Sequence, residues 1–198
     1  MTYYLDSMKK KQWKPISNEQ EICHSTVGII GVGSIAFALA KRLKAFNARV
    51  IGYKRTPISH NDFDAIVCNQ EGLEKIATES DVVVLTIPLT KETKHMIDKT
   101  FLSKMKSDAL LINVARGDII QQDDLIEALK NKQIKAAGLD VTTPEPLHVE
   151  SPLWDLDNVY LTPHNSTSSP HMIKRLEEAL ISQLDQFLNN DNKDLFIV

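Results

Sequence analysis

Short continuous apolar runs alternate along this chain with segments whose apolar positions recur at helical spacing. Val27, Ile29 and Ile30 form the first run, and Arg49 to Tyr53 the second. Between them Ile35, Leu39, Leu43 and Phe46 mark an amphipathic helix. Ile66-Val67 predicts a short strand, Leu73 to Glu79 a short helix, and Asp81 to Ile87 a strand buried on both faces. Phe101 to Met105 reads as a helical turn and Ala109 to Val114 as another buried strand. Gln122 to Asn131 is helical, with Leu125, Ile126 and Leu129 inward, and Ala136 to Val141 and Val159 to Thr162 are the last strands. Ser169 to Asn189 reads as a long helix that buries Ile173, Leu176, Leu180, Leu184 and Phe187, and the tail ends in a strand-like LFIV. Continuous apolar strands alternating with helices imply an α/β fold, a doubly wound parallel sheet covered on both faces.

Composition narrows the function classes. The chain has 198 residues and a formal charge of −3, with no basic stripe, which argues against nucleic acid. No apolar run approaches the roughly 20 residues a bilayer crossing needs. The first residues, MTYYLDSMKKKQW, lack the apolar centre of a secretory signal. Cys23 and Cys68 stand apart, outside any metal-like spacing, and read as reduced thiols of a cytoplasmic protein. No metal site is expected.

The junction between the first run and the first long helix carries the first chemical signal. It reads Gly31-Val32-Gly33-Ser34-Ile35-Ala36, a G-x-G-x-x-A turn that opens a helix directly after a strand. Gly31 permits a sharp turn, and Gly33 lets backbone approach a pyrophosphate with no side chain between them. Ala36 keeps helix and strand close, while the helix start at Ser34 and Ile35 offers unpaired N–H groups to phosphates. The same letters also fit an ordinary strand–turn–helix corner. Their placement favours a dinucleotide-binding βαβ unit.

Ligands of doubly wound sheets bind beyond the carboxyl ends of the strands. Four such ends carry distinctive residues: Ile87-Pro88, Val114-Ala115-Arg116-Gly117, Asp140, and Thr162-Pro163-His164. Glu145 follows in the TTPEP loop after Asp140. Each has a dull explanation when taken singly: a surface arginine, a capping aspartate, a solvated loop carboxylate, a structural histidine. Together they place a cation, two carboxylates and an imidazole on the edge where the glycine turn would seat a nicotinamide.

At these residues the chain resembles the D-isomer-specific 2-hydroxyacid dehydrogenases. The likeness runs from about Trp13 to the final helix and rests on GVGSIA, on Pro88-Leu89-Thr90 followed by Glu92-Thr93, on NVARGDII, on AGLDVTTPEPL and on LTPH. The resemblance implies a Rossmann-like NAD(P)-binding domain and hydride transfer between a nicotinamide cofactor and a small 2-oxo or 2-hydroxy acid. It further implies His164 as acid/base, Glu145 as the carboxylate fixing its tautomer, and Arg116 as the group holding the substrate carboxylate. Asp140 would accept from the nicotinamide carboxamide, and Ile87, Pro88 and the backbone of Val114 and Ala115 would line the cofactor cleft.

Two departures from the family pattern stand out. NAD-dependent members usually carry an acidic residue at the end of the second strand, whereas this chain has Lys54, then Arg55 and Thr56. Two cations and a hydroxyl suit a 2′-phosphate, so NADP is expected over NAD unless both side chains point into solvent. Full-length members also begin with a substrate domain, whereas this sequence starts at the crossover into the dinucleotide domain. The expected organisation is a linking helix and arm over 1–24, a dinucleotide-binding domain over 25–168, and a helix and tail over 169–198 that would return to a substrate domain. A homodimer anchored by Tyr3, Tyr4 and Trp13 is expected. So is, as an alternative to an active dehydrogenase, a catalytically weak dinucleotide-binding module, sensor or corepressor-like.

Overall fold

Seven short strands set the frame: β1 (Thr26–Ile30), β2 (Arg49–Tyr53), β3 (Ala65–Val67), β4 (Val82–Leu85), β5 (Leu110–Asn113), β6 (Ala136–Leu139) and β7 (Val159–Leu161). In the computed structural model, which describes residues 2–15 and 20–189, they pair in the order β3-β2-β1-β4-β5-β6-β7. Every pairing is parallel. The carboxyl ends of all seven strands therefore share one edge. The order reverses between β1 and β4, which are hydrogen-bonded neighbours, and that is the topological switch point.

The core lies on both faces of the sheet because successive strand residues point to opposite sides. Val27 and Ile29 join Val50, Phe63, Ala36, Ala40 and Leu43 on the face covered by α2 (Ser34–Ala45). Ile30, Ile51, Val83, Leu85 and Leu111 pack on the other, beneath α3 (Asn69–Glu79), α4 (Lys99–Lys104) and α5 (Gln122–Lys130). The inward positions of α5, Leu125, Ile126 and Leu129, are buried as the periodicity predicts.

Two expected faces differ. The buried side of α2 is Ala36, Ala40 and Leu43, while Ile35 and Phe46 are exposed. The small alanines let the helix axis approach the strands, and a stripe through Ile35 would hold it away. The final helix, here α6 (Met172–Leu188), has the expected amphipathic pattern, but Ile173, Leu176, Leu180, Leu184 and Phe187 are all exposed. Backbone contacts divide the chain into two compact units, Met1–Pro163 and His164–Val198. Among the described residues, the second contains the single helix α6 and no other helix or strand.

At the amino terminus α1 (Thr2–Lys9) forms the linking helix, with Tyr4 half-exposed, and Trp13 beyond it is wholly exposed. The strand-like tail Leu195 to Val198 and the Tyr3 side chain lie outside the described residues. The amino-terminal edge of the sheet is latched by two carboxylates. Asp81 accepts from the Thr26 amide and from Lys106 Nζ, each at 2.7 Å. Asp64 accepts from the Val50 amide at 2.7 Å and from Lys44 Nζ at 2.9 Å.

Candidate functional site

The glycine turn sits directly above β1, beside the switch point. Gly31 is buried with φ 102°, a conformation a side chain disfavours, and a Cβ there would fall 2.6 Å from the backbone N and Cα of Ile87. The turns after β1 and β4 are therefore in backbone contact. Thr86 Oγ1 ties them further by donating to Gly31 O at 2.7 Å.

Gly33 is different. Its backbone is extended (φ −132°), it caps the start of α2, and an added Cβ would meet nothing within 4 Å. The first bond of α2 runs from the Phe37 amide to Gly33 O at 2.9 Å, so the amides of Ser34, Ile35 and Ala36 lie ahead of it. Open space against a glycine at the positive end of a 12-residue helix fits the phosphates of a dinucleotide. Ser34 and Ile35 are exposed there.

At the end of β2, Lys54 turns back over this corner and donates Nζ to Val32 O at 3.0 Å. Lys54 is half-buried and braces the glycine turn, while Arg55 beside it is exposed.

Beyond β4, Ile87 is partly buried and Pro88 exposed, and Thr93 Oγ1 donates to Pro88 O at 2.7 Å to close the following turn. Beyond β5, Asn113 shapes the loop. Its Oδ1 accepts from the Ala115 amide at 3.0 Å and its Nδ2 donates to Arg116 O at 2.9 Å. Arg116 is exposed and its Nη1 donates to Ala115 O at 2.6 Å. Both backbone polar groups of Ala115 are thus engaged within the chain, while Val114 is partly exposed beside them.

The loops after β5, β6 and β7 are joined in turn. The Asp140 amide donates to Asn113 O at 3.0 Å, and Asp140 Oδ1, in a residue only 5% exposed, accepts from Thr162 Oγ1 at 2.5 Å. Gln122 clamps the β6 loop from α5, donating Nε2 to Thr143 O at 2.6 Å and accepting the Thr143 amide at 3.0 Å. Within that loop the Glu145 carboxylate is exposed and accepts the Thr142 amide at 3.1 Å. A Cβ on Gly117 would strike Thr143 Oγ1 at 2.6 Å, so the loops bearing Arg116 and Glu145 touch.

The first unit thus gathers Gly31, Gly33, Lys54, Ile87, Arg116, Asp140 and Glu145 along one sheet edge. His164 opens the second unit, exposed and with φ 49°. Asn113, Gln122 and Thr162 escaped the sequence reading as shaping residues. A lone amide side chain closing the apolar run ALLIN was the signal for the first of them. Among the described residues no group of three or more His, Cys, Asp or Glu could hold a metal ion, and no helix is long and apolar enough to cross a membrane.

Comparison with known proteins agrees with this architecture. Residues 1–166 match the family model described as "D-isomer specific 2-hydroxyacid dehydrogenase, NAD binding domain". A glyoxylate reductase of Pyrococcus furiosus is 41% identical over 167 residues, which cover 84% of this chain and 49% of that protein. The human glyoxylate reductase/hydroxypyruvate reductase is 41% identical over 77% of this chain and 47% of its own length. The chain spans about half the length of these relatives. Among solved structures, a 2-hydroxyacid dehydrogenase of Xanthobacter autotrophicus in complex with NADPH and MES superposes with a TM-score of 0.84 at 29% identity. That match covers 95% of this chain and 76% of the other. An NADPH-dependent glyoxylate/hydroxypyruvate reductase of Sinorhizobium meliloti in complex with NADP and sulfate gives 0.83 at 29% identity, over 95% and 60%. The seven-stranded sheet with a glycine turn at its switch point, and a family model matching most of the chain, place it among the D-isomer-specific 2-hydroxyacid dehydrogenases.

Proposed function

We propose that this chain supplies the cofactor-binding half of an NAD(P)-dependent reductase of small 2-oxo acids, of the glyoxylate or hydroxypyruvate kind, with NADP as the preferred dinucleotide. The observation that carries the reading is the open, side-chain-free space at Gly33, at the start of α2 and beside the switch point. Relatives named for glyoxylate and hydroxypyruvate reduction support the substrate class.

When bound, the reduced dinucleotide supplies the hydride. The amides of Ser34 and Ile35 receive its phosphates, Arg55 faces the 2′-phosphate, and Ile87 and Pro88 line the cleft. Asp140, braced by Thr162, accepts from the carboxamide and sets which ring face is presented. Arg116 grips the substrate carboxylate through parallel N–H bonds, which requires its guanidinium to leave the Ala115 carbonyl. His164 holds the proton that the developing alkoxide takes up and removes it in the reverse direction. Glu145 fixes the tautomer of that imidazole and stabilises its charged form.

The working form is a cytoplasmic homodimer in which Tyr4 and Trp13 are interface anchors, a role their exposure supports. Titration with NADPH and NADH, run beside NADPH oxidation with glyoxylate and hydroxypyruvate, tests the proposal. Saturable NADPH binding by the chain is expected, with turnover in the form that carries the substrate-binding half as well. Binding without turnover leaves a dinucleotide-binding module, and failure to bind either dinucleotide overturns the reading.

A further inference from the structure

The glycine turn is fastened to the end of β2 at two points. The Gly31 amide donates to Tyr53 O at 3.0 Å, and just beyond β2 Lys54 Nζ donates to Val32 O at 3.0 Å. Both ends of that second bond are held. The Lys54 amide donates to Val67 O at 3.0 Å, continuing the ladder with β3, so the lysine starts from a fixed backbone. Val32 is buried and lies over Gly52, where an added Cβ would fall 2.6 Å from its Cγ2. The ammonium of a half-buried lysine is thus placed on a carbonyl inside the turn.

That carbonyl has a partner across its own peptide. Val32 O and the Gly33 N–H belong to one planar trans unit and point in opposite directions. Among the described residues no group accepts from the Gly33 amide, and the space against Gly33 is the open space at the start of α2. A cation on the oxygen of a peptide draws charge from its nitrogen and makes its N–H a stronger donor. Lys54 therefore raises the attraction of this corner for an anion in two ways: through the polarised Gly33 amide, and through its own fixed charge beside the positive end of α2.

We infer that Lys54 is a positioning residue for the pyrophosphate: acting through the Val32–Gly33 peptide, it aids NADH and NADPH alike and does not read the 2′-phosphate. The inference rests on the dinucleotide reading above and deepens it. It divides the labour between two neighbouring cations. The Lys54 ammonium is engaged by Val32 O, whereas Arg55 is exposed and is left to face the 2′-phosphate.

The test is a set of dissociation constants for NADH, NADPH, ADP-ribose and adenosine, measured on the whole chain and on Lys54→Met and Lys54→Arg. Physiological ionic strength is used, so that distant charges are screened. Lys54→Met keeps the apolar stem and loses the donor. It should weaken NADH, NADPH and ADP-ribose by a common factor of about tenfold. Adenosine, which has no phosphate, should change by less than about twofold. Lys54→Arg can still donate to Val32 O and should restore most of the lost affinity. On the unaltered chain, acylation of Lys54 Nζ by an amine reagent should be slowed equally by saturating NADH and NADPH, a result that stands even if Lys54→Met does not fold. A loss confined to NADPH, or protection of Lys54 by NADPH but not by NADH, makes the ammonium a 2′-phosphate ligand and overturns the inference. So do unchanged affinities in Lys54→Met, a loss that extends to adenosine, or a Lys54→Arg protein as weak as Lys54→Met. In each of these cases the unaltered chain still binds, and the inference alone fails. If the unaltered chain binds neither dinucleotide, the reading of the site fails and takes the inference along.

Discussion

Asn113 Nδ2 donates to the carbonyl of Arg116 at 2.9 Å from a side chain that is wholly buried at the end of β5. The residue that positions the candidate substrate arginine thus belongs to the sheet, while the arginine itself is in solvent. The same amide accepts from Ala115, so one side chain holds two consecutive loop residues, Ala115 and Arg116. Asn113→Ala strips both bonds and leaves buried polar groups unpaired, which should cost about 1–3 kcal/mol in urea unfolding. Asn113→Asp keeps the acceptor for Ala115 but turns a carboxylate on the Arg116 carbonyl. It should lose a comparable amount, and loss of less than a few tenths of a kcal/mol from either variant would contradict the role.

The two turn glycines make opposite demands, and substitution separates them. At Gly31 a side chain meets both an unfavourable φ and the Ile87 backbone, so Gly31→Ala should destabilise the fold by about 2 kcal/mol or more. At Gly33 the backbone is extended and the space is open, so Gly33→Ala should leave the thermal midpoint within about a degree or two. It should nevertheless weaken dinucleotide binding at least tenfold by filling the space a phosphate needs. A Gly33→Ala protein that binds NADPH normally would show that the phosphates lie elsewhere.

Most of the sheet was legible in the sequence because a parallel strand is buried on both faces and so reads as an unbroken apolar run, as in VVVL of β4 and LLIN of β5. What misled was periodicity where size mattered more than hydrophobicity. Ala36 was legible in the glycine turn as the point of close approach. Ile35 and Phe46, on the α2 stripe by spacing, are exposed, and Ala40 takes the buried face beside Ala36 because only a small side chain admits that approach. The α6 stripe was read correctly as amphipathic and wrongly as buried, since amphipathicity does not say where the covering surface comes from. At the site, strand-end residues could be read from sequence because the topology fixes where strands end. Gln122 could not, because it reaches the Glu145 loop from a helix 21 residues away in sequence from its partner Thr143. Nor could the lysine–carbonyl contact that sets Lys54 apart from Arg55.

Acid should loosen the edge of the sheet opposite the site. Asp64 lies below its ordinary value mainly through the Val50 amide, helped by Lys44. Asp81 is also lowered: burial opposes ionisation, but the bonds from Lys106 and the Thr26 amide outweigh it. A carboxylate whose folded value is depressed stabilises the fold above its unfolded pKa, and that contribution is lost as pH falls through the folded value. Stability should therefore be flat through neutral pH and decline below about pH 4. Asp64→Asn and Asp81→Asn should be less stable at pH 7 and show a shallower acid decline, measured by urea unfolding across pH 3 to 7. An unchanged acid slope in both variants would assign the decline to other carboxylates.

His164 and Arg116 make the sharpest pair of chemical predictions because their proposed tasks differ in kind. Replacing the acid/base removes proton transfer but no cofactor contact, so His164→Asn should lower kcat by about 10²–10⁴-fold while NADPH affinity holds. Arg116 is proposed to bind the substrate carboxylate and polarise its carbonyl, so Arg116→Ala should raise KM for the 2-oxo acid and lower kcat together. Arg116→Lys should recover little, because an ammonium cannot supply the two parallel bonds of a guanidinium. These measurements belong in the form that turns over. In the chain as described here, both variants should bind NADPH like the unaltered protein, since neither residue is assigned a cofactor contact. Loss of NADPH binding in His164→Asn would place the imidazole at the cofactor and remove it from the proton-transfer step. Wild-type-like turnover in both variants would withdraw the acid/base and carboxylate-binding roles altogether.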